Sequence, residues 1–222
     1  MIVVHHLEKS RSQRVLWLLE ELGVAYEVRR YPRDPKTMLA PPELRAIHPL
    51  GKSPVITDGD VTVAESGAII EYLIERHGAG NFAPARGTPE RLRYTYWLHY
   101  AEGSVMPPLL LKLVVARLKS APAPFFVRPI VKGIAAKLSA GFVDPQLRLH
   151  ADFMEAELGK STWFAGAEPT GADVQMSFPV EAIVARGDGT PRPNLERFLD
   201  QVHQRPAYRR AFERGGPFEI LR

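Results

Sequence analysis

The sequence predicts an α/β plus all-α protein: a small βαβαββα domain followed by an all-helical one. Three observations carry that prediction. A strand–helix–strand pattern fills the first 31 residues. A hairpin signal and a helix complete the series before residue 78. From residue 89 onward the apolar residues recur only at helical spacing.

Each element has its own local reason. Ile2, Val3 and Val4 are β-branched and open the chain as a strand. Ser10 or Ser12 then precedes a helix carrying Val15, Leu16, Trp17, Leu18, Leu19 and Leu22, with Gly23 as its stop. Tyr26 to Tyr31 alternates with charges as a second strand, so the two strands of this βαβ unit should be parallel. Pro41-Pro42-Glu43 can start a short helix. Val55-Ile56-Thr57, Asp58-Gly59 and Val61-Thr62-Val63 form a hairpin pattern. A helix from Glu65 to about Arg76 buries Ile69, Ile70, Leu73 and Ile74, and Gly78 and Gly80 end it. The expected division is 1–78, a linker at 79–88 and a helical domain at 89–222. Helical patterns run over about 89–118, 125–158, 171–186 and 194–213. Pro122, Pro124 and Pro129 interrupt the middle of that region. No internal repeat is evident.

Composition narrows the function classes. Hydrophobic residues make up 45% and charged residues 24% of the 222, which are ordinary globular values. The longest stretch free of Asp, Glu, Lys and Arg is nine residues, for example Gly103 to Leu111, while a membrane-spanning helix needs about 20. No transmembrane segment is expected. The N-terminus lacks a signal-peptide pattern, so a cytoplasmic location is expected. The absence of cysteine excludes disulfides, CxxC redox chemistry, thiolate nucleophiles and cysteine–zinc sites. The seven histidines show no ligand spacing, and His5-His6 would point to opposite faces of a strand, so no metal is expected.

The net charge of +4 is uneven. Residues 1–78 carry 10 basic and 11 acidic side chains, and residues 79–222 carry 19 and 14. Lys112, Arg117, Lys119, Arg128, Lys132, Lys137 and Arg148 face only Asp144 between 112 and 148. No nucleic-acid motif accompanies them, so nucleic acid is disfavoured as a partner. The run reads as a solvated basic helix face that favours anionic partners, and the stretch from Leu109 to Phe142 could form either part of the pocket wall or a membrane-surface contact. Gly51-Lys52-Ser53 looks like the tail of a phosphate loop, but Ala46 stands where glycine is needed and Pro54 leads into a strand.

Four separated segments carry a more specific signal: HHLEKSRSQRVLWLLEELGVAYE at 5–27, HPLGKSPVITDGD at 48–60, VAESGAIIEYL at 63–73 and PTGADVQMSFPV at 169–180. In this order they resemble the cytosolic glutathione transferase superfamily. The resemblance spans the chain. It implies a thioredoxin-like first domain, glutathione as co-substrate, a small hydrophobic electrophile as second substrate, and a homodimer with the first domain of one subunit against the helices of the other.

Residue by residue, the resemblance implies a cis Pro54 that turns the backbone of Ser53 toward the ligand, which then pairs like an added strand. Glu65 would meet the glutathione ammonium and Ser66 its glutamyl carboxylate, at a helix N-terminus whose free N–H groups accept an anion. Lys52 would meet the glycine carboxylate. The first strand ends in His5, His6 and Leu7, with no tyrosine to activate the thiol, so a serine of the first helix is expected to do so. Counting back from Arg14-Val15 favours Ser10 over Ser12, and either serine could instead be a plain N-cap.

Such a serine would donate a hydrogen bond to the thiolate. A free thiol titrates near 8.5, and lowering it by two units takes about 2.7 kcal/mol. A hydrogen bond to a charged acceptor supplies about 1.5–3 kcal/mol and a helix N-terminus about 0.3–1 kcal/mol. Thr170 and Asp173 have the spacing of a structural capping box. Tyr100 and Met106, on the helix from Pro89, are candidates for the electrophile pocket. Two other functions keep the same fold: a non-catalytic binding protein, and a glutathione-dependent peroxide or disulfide reductase.

Overall fold

A computed structural model describes residues 1–8, 10–186 and 188–216. The first part consists of β1 (Ile2–Leu7), α1 (Gln13–Glu21), β2 (Tyr26–Tyr31), α2 (Pro42–Ile47), β3 (Val55–Asp58), β4 (Val61–Ala64) and α3 (Ser66–His77). The strands form one sheet in the order β2-β1-β3-β4. β1 and β2 are parallel, as the βαβ reading requires, and the other pairs are antiparallel. Asp58 pairs with Val61, so the hairpin loop is Gly59-Asp60, one residue later than the Asp58-Gly59 pair read from sequence. Gly59 has a φ of +58°, which a residue without Cβ adopts freely.

β1 runs three residues beyond its β-branched start and takes in His5 and His6. It is a central strand, and a polar pair there must be bonded. His5 Nδ1 pairs with the Tyr31 hydroxyl at 2.8 Å and Nε2 with Thr57 Oγ1 at 3.2 Å.

The helical part contains α4 (Pro89–Tyr100), α5 (Met106–Ser120), α6 (Arg128–Leu138), α7 (Asp144–Leu158), α8 (Gly171–Ala185), α9 (Pro193–Gln204) and α10 (Pro206–Gly215). A π-helical turn, Ala101–Val105, joins α4 to α5, and a second, Ser139–Val143, joins α6 to α7. Pro107 and Pro108 fall in the first turn of α5, where a missing N–H costs little. The region expected as one helix over 194–213 is instead two. Arg205 precedes Pro206 and is extended at φ −65°, ψ 128°, as a pre-proline residue tends to be.

One hydrophobic core runs through both parts and includes Val4, Leu16, Trp17, Ile70, Trp97 and Phe198. α8 enters it beneath α3. A Cβ on Gly171 would stand 2.5 Å from Ile74 Cδ1 and 2.7 Å from Ile70 Cγ2, so only glycine fits. The capping box is formed. Asp173 accepts from the Thr170 N–H at 2.8 Å and hydroxyl at 2.9 Å, and from the Phe164 N–H at 2.8 Å. Burial pushes its carboxyl up to about 6. Among the described residues no helix is long and apolar enough to cross a membrane.

Candidate functional site

The site gathers where the end of β1, the start of α1 and the segment before β3 meet. Ser53 joins them. Its hydroxyl donates to the His5 carbonyl at 2.9 Å and accepts from the Leu7 N–H at 3.3 Å, so it ties the chain before β3 to β1. It also accepts from the Ser10 hydroxyl at 3.2 Å. The Ser53-Pro54 bond is cis.

Ser10 and Ser12 are partners. Their hydroxyls lie 2.7 Å apart, and Ser12 Oγ is 2.9 Å from His6 Nδ1. Ser12 stands at the N-cap position of α1, yet its side chain caps no helical N–H. It is fully buried, whereas Ser10 keeps 6% of its surface open. Burial, and then Arg30, lower the His6 imidazole to about 4, so it is neutral at pH 7. A continuous chain of hydroxyls thus runs from His6 through Ser12 and Ser10 to Ser53.

The second group lies at the N-terminus of α3. Glu65 is exposed and holds a φ of +69°, rare for a residue with a side chain. Ser66 is buried, and its hydroxyl accepts from Arg14 Nη2 at 2.9 Å. Arg14 also donates to the Gln175 carbonyl at 2.7 Å and pairs with Glu102, which in turn pairs with Arg11. Burial lowers Arg14 to about 10, so it stays cationic at neutral pH. Burial alone would raise the Glu102 carboxyl; Arg14 and Arg11 outweigh it and hold the group below the usual range. This ion cluster fastens α1 and α3 to the π-turn after α4.

Lys52 is exposed beside Ser53. Tyr100 and Met106 lie elsewhere. The Tyr100 ring is buried against Tyr96, Trp97 and Phe153, and its hydroxyl bonds His150 Nδ1. Met106 is half-buried against the main core. A cleft of about 230 Å³ opens in the helical part, with Leu109, Leu147 and Ile183 on its apolar wall. The ion pairs Lys112–Asp144 and Arg148–Asp188 line it. Neither Tyr100 nor Met106 contributes to it.

Sequence reasoning missed His6, Arg14 and Glu102. Arg14 had a signal, a cation among the apolar residues of α1. Glu102 had one too, as the last acid before 41 residues, 103–143, that contain none.

A thioredoxin-like βαβαββα unit packed on a helical unit, with polar groups collected at two helix N-termini, defines the class. Comparison with known proteins supplies the family. Residues 10–76 match the family model "Glutathione S-transferase, N-terminal domain", and residues 126–206 match "Glutathione S-transferase, C-terminal domain". The chain is 37% identical to glutathione S-transferase 3 of Schizosaccharomyces pombe over 96% of its own length and 88% of that protein's. It is 31% identical to glutathione S-transferase 1 of Saccharomyces cerevisiae, over 94% and 92%. A glutathione S-transferase crystal structure from Actinobacillus pleuropneumoniae superposes with a TM-score of 0.83 at 37% identity, covering 100% of this chain and 96% of that one. The chain belongs to the glutathione S-transferase family.

Proposed function

We propose that Ser10 stabilises the glutathione thiolate in this glutathione transferase, with Ser12 and His6 setting the direction of its proton. The hydroxyl chain supports this reading and is the observation that carries it. A serine that accepts a bond on one side keeps its proton free to donate to a thiolate on the other, and donates more strongly for it. Ser12 can donate to Ser10 if Ser12 accepts from His6, and neutral His6 can donate when its proton sits on Nδ1. Ser10 then gives up its 3.2 Å bond to Ser53 and turns to the sulfur. Ser12 is fully buried and acts only through Ser10. No general base is needed, since hydroxyl and helix terminus together supply about the 2.7 kcal/mol that two pKa units require.

The tripeptide lies along 1–78 with its thiol at Ser10. The Ser53 backbone beside Pro54 pairs with its middle, Lys52 meets its glycine carboxylate, and Glu65 and Ser66 hold its glutamyl end. The raised φ of Glu65 supports its role, because strained backbone gathers at ligand clamps. Arg14 fixes the Ser66 hydroxyl from behind. The electrophile approaches from the helical unit at 89–222. Met106, one turn past Glu102, is the wall residue we retain, while Tyr100 is occupied in the aromatic core. A cytoplasmic homodimer is the working assembly.

Calorimetry on Glu65→Ala tests the placement. Loss of the ammonium partner should weaken glutathione binding by about 1.5–3 kcal/mol, roughly ten- to a hundred-fold. Unchanged affinity would remove Glu65 from the site and with it this orientation of the peptide.

A further inference from the structure

α8 carries a proline in its interior. Pro179 stands well clear of both ends of the helix and is buried. It belongs to the segment 169–180, whose capping box accounts for Thr170 and Asp173 but not for a proline. Proline is the costliest residue in a helix interior. It has no N–H for the carbonyl four residues back, and its ring pushes that carbonyl off the helix axis. In α8 that carbonyl belongs to Gln175.

The freed carbonyl has a specific partner. It accepts from Arg14 Nη1 at 2.7 Å. In an unbroken ladder it would be engaged by the amide of residue 179 and would point along the helix. Arg14 is only 3% exposed, so its donors need acceptors inside the protein. Nε has none among the described residues, so the guanidinium is held through its two Nη groups. Nη1 takes the Gln175 carbonyl, and Nη2 takes Glu102 and, at 2.9 Å, the Ser66 hydroxyl. Phe178, the neighbour of Pro179, flanks the same group, with its ring centre 5.9 Å from the guanidinium carbon.

Residue 175 reaches α3 by its side chain as well. A Cβ on Gly67 would stand 3.7 Å from Gln175 Nε2. One residue of α8 thus adjoins the first turn of α3 twice, directly at Gly67 and through Arg14 at Ser66. The second route sets a direction. Because the Ser66 hydroxyl accepts from Arg14, its own proton is left to donate outward. An Arg14 without the Gln175 carbonyl loses the one anchor that comes from α8 and no longer fixes that hydroxyl.

We infer that Pro179 is a positioning residue for glutathione: by withholding an N–H from α8 it leaves the Gln175 carbonyl to Arg14, which holds Ser66 ready for the glutamyl carboxylate. The inference rests on the placement of that carboxylate at Ser66. P179A and P179V both return an N–H to position 179, one with a smaller side chain and one with a larger, so a loss common to both reports the N–H and not the volume. Calorimetry should show glutathione binding about three- to tenfold weaker in each, a fraction of the worth of a charged hydrogen bond. The ultraviolet titration of the bound thiol should superpose on the wild type, because Pro179 does not touch the hydroxyl chain from His6 to Ser53. The thermal midpoint of at least one variant should match or exceed the wild type, because α8 gains a backbone bond. In an S66A background P179A should cost nothing further, since Arg14 then has no hydroxyl to orient. Unchanged affinity in both proline variants overturns the proposal. So does an equal loss with and without Ser66, or a loss that comes with a displaced thiol titration and a lowered midpoint in both variants, which would mark a general loosening of α8. Unchanged affinity in S66A itself would instead overturn the placement of the glutamyl end, and the inference with it.

Discussion

Replacing Ser10 by alanine should raise the pKa of glutathione bound to the protein. In the wild type, Ser10 leaves a neutral bond to Ser53, worth about 0.5–1.5 kcal/mol, for a bond to a thiolate, worth about 1.5–3 kcal/mol. The alanine side chain can make neither, and the thiolate keeps only the helix N-terminus, about 0.3–1 kcal/mol. The net difference is about 1–1.5 kcal/mol, so at 1.36 kcal/mol per unit the bound thiol should titrate about one unit higher. The thiolate's ultraviolet absorbance, followed against pH in the complex, measures this directly. Ser12→Ala should move the curve less, by under about half a unit, because the neutral bond behind Ser10 is present with thiol and thiolate alike and only its strengthening is lost. A Ser10→Ala titration that superposes on the wild type would refute the assignment, and a shift confined to Ser12→Ala would transfer the role to Ser12.

Two further outcomes follow from the same contacts. Glu102→Gln removes the carboxylate from the buried Arg14 guanidinium. Breaking a buried pair costs about 3–5 kcal/mol, and since Glu102 is partly open the low end is expected in urea unfolding; a loss below about 1 kcal/mol, the scale of a surface pair, would contradict the buried link. His6 titrates at about 4 when folded and near 6.5 when unfolded, so between those values the unfolded chain binds more protons and stability rises with pH. Going from pH 7 to 4.5, the wild type should lose about 2 kcal/mol more than His6→Asn, and equal losses would show that His6 is not held neutral.

The order of elements through Gly78 is legible because its signals are local: β-branched strand residues, a glycine stop, a two-residue loop. The reach of β1 through His5 and His6 is not, because a buried polar pair depends on Tyr31 and Thr57, 26 and 52 positions away. Pro206 did carry a local warning, since the residue before a proline leaves the helical region. The site shows the same division. Ser10, Ser53, Glu65 and Ser66 stand in short motifs and can be read there. The pairing of Arg14 with Glu102 joins positions 88 apart and appears only once the helical unit folds over α1. Ser10 and Ser12 looked like rivals for one role, because sequence gives their spacing and not the 2.7 Å between their hydroxyls.

α1 owes its outer support to α10. Trp17 packs edge-on to Tyr208, Glu20 receives Arg210 and Arg214, and Gln13 and Leu16 press on Gly215 so closely that a Cβ there would stand 2.1 Å from Gln13 Oε1. Glu20 and Arg210 are 190 positions apart. A chain stopped just before Pro206 would therefore possess every serine, histidine and proline of the site and still leave the α10 side of Trp17 and Leu16 open to water. Premature termination or proteolytic clipping far downstream thus removes the support of the helix that begins beside the two serines.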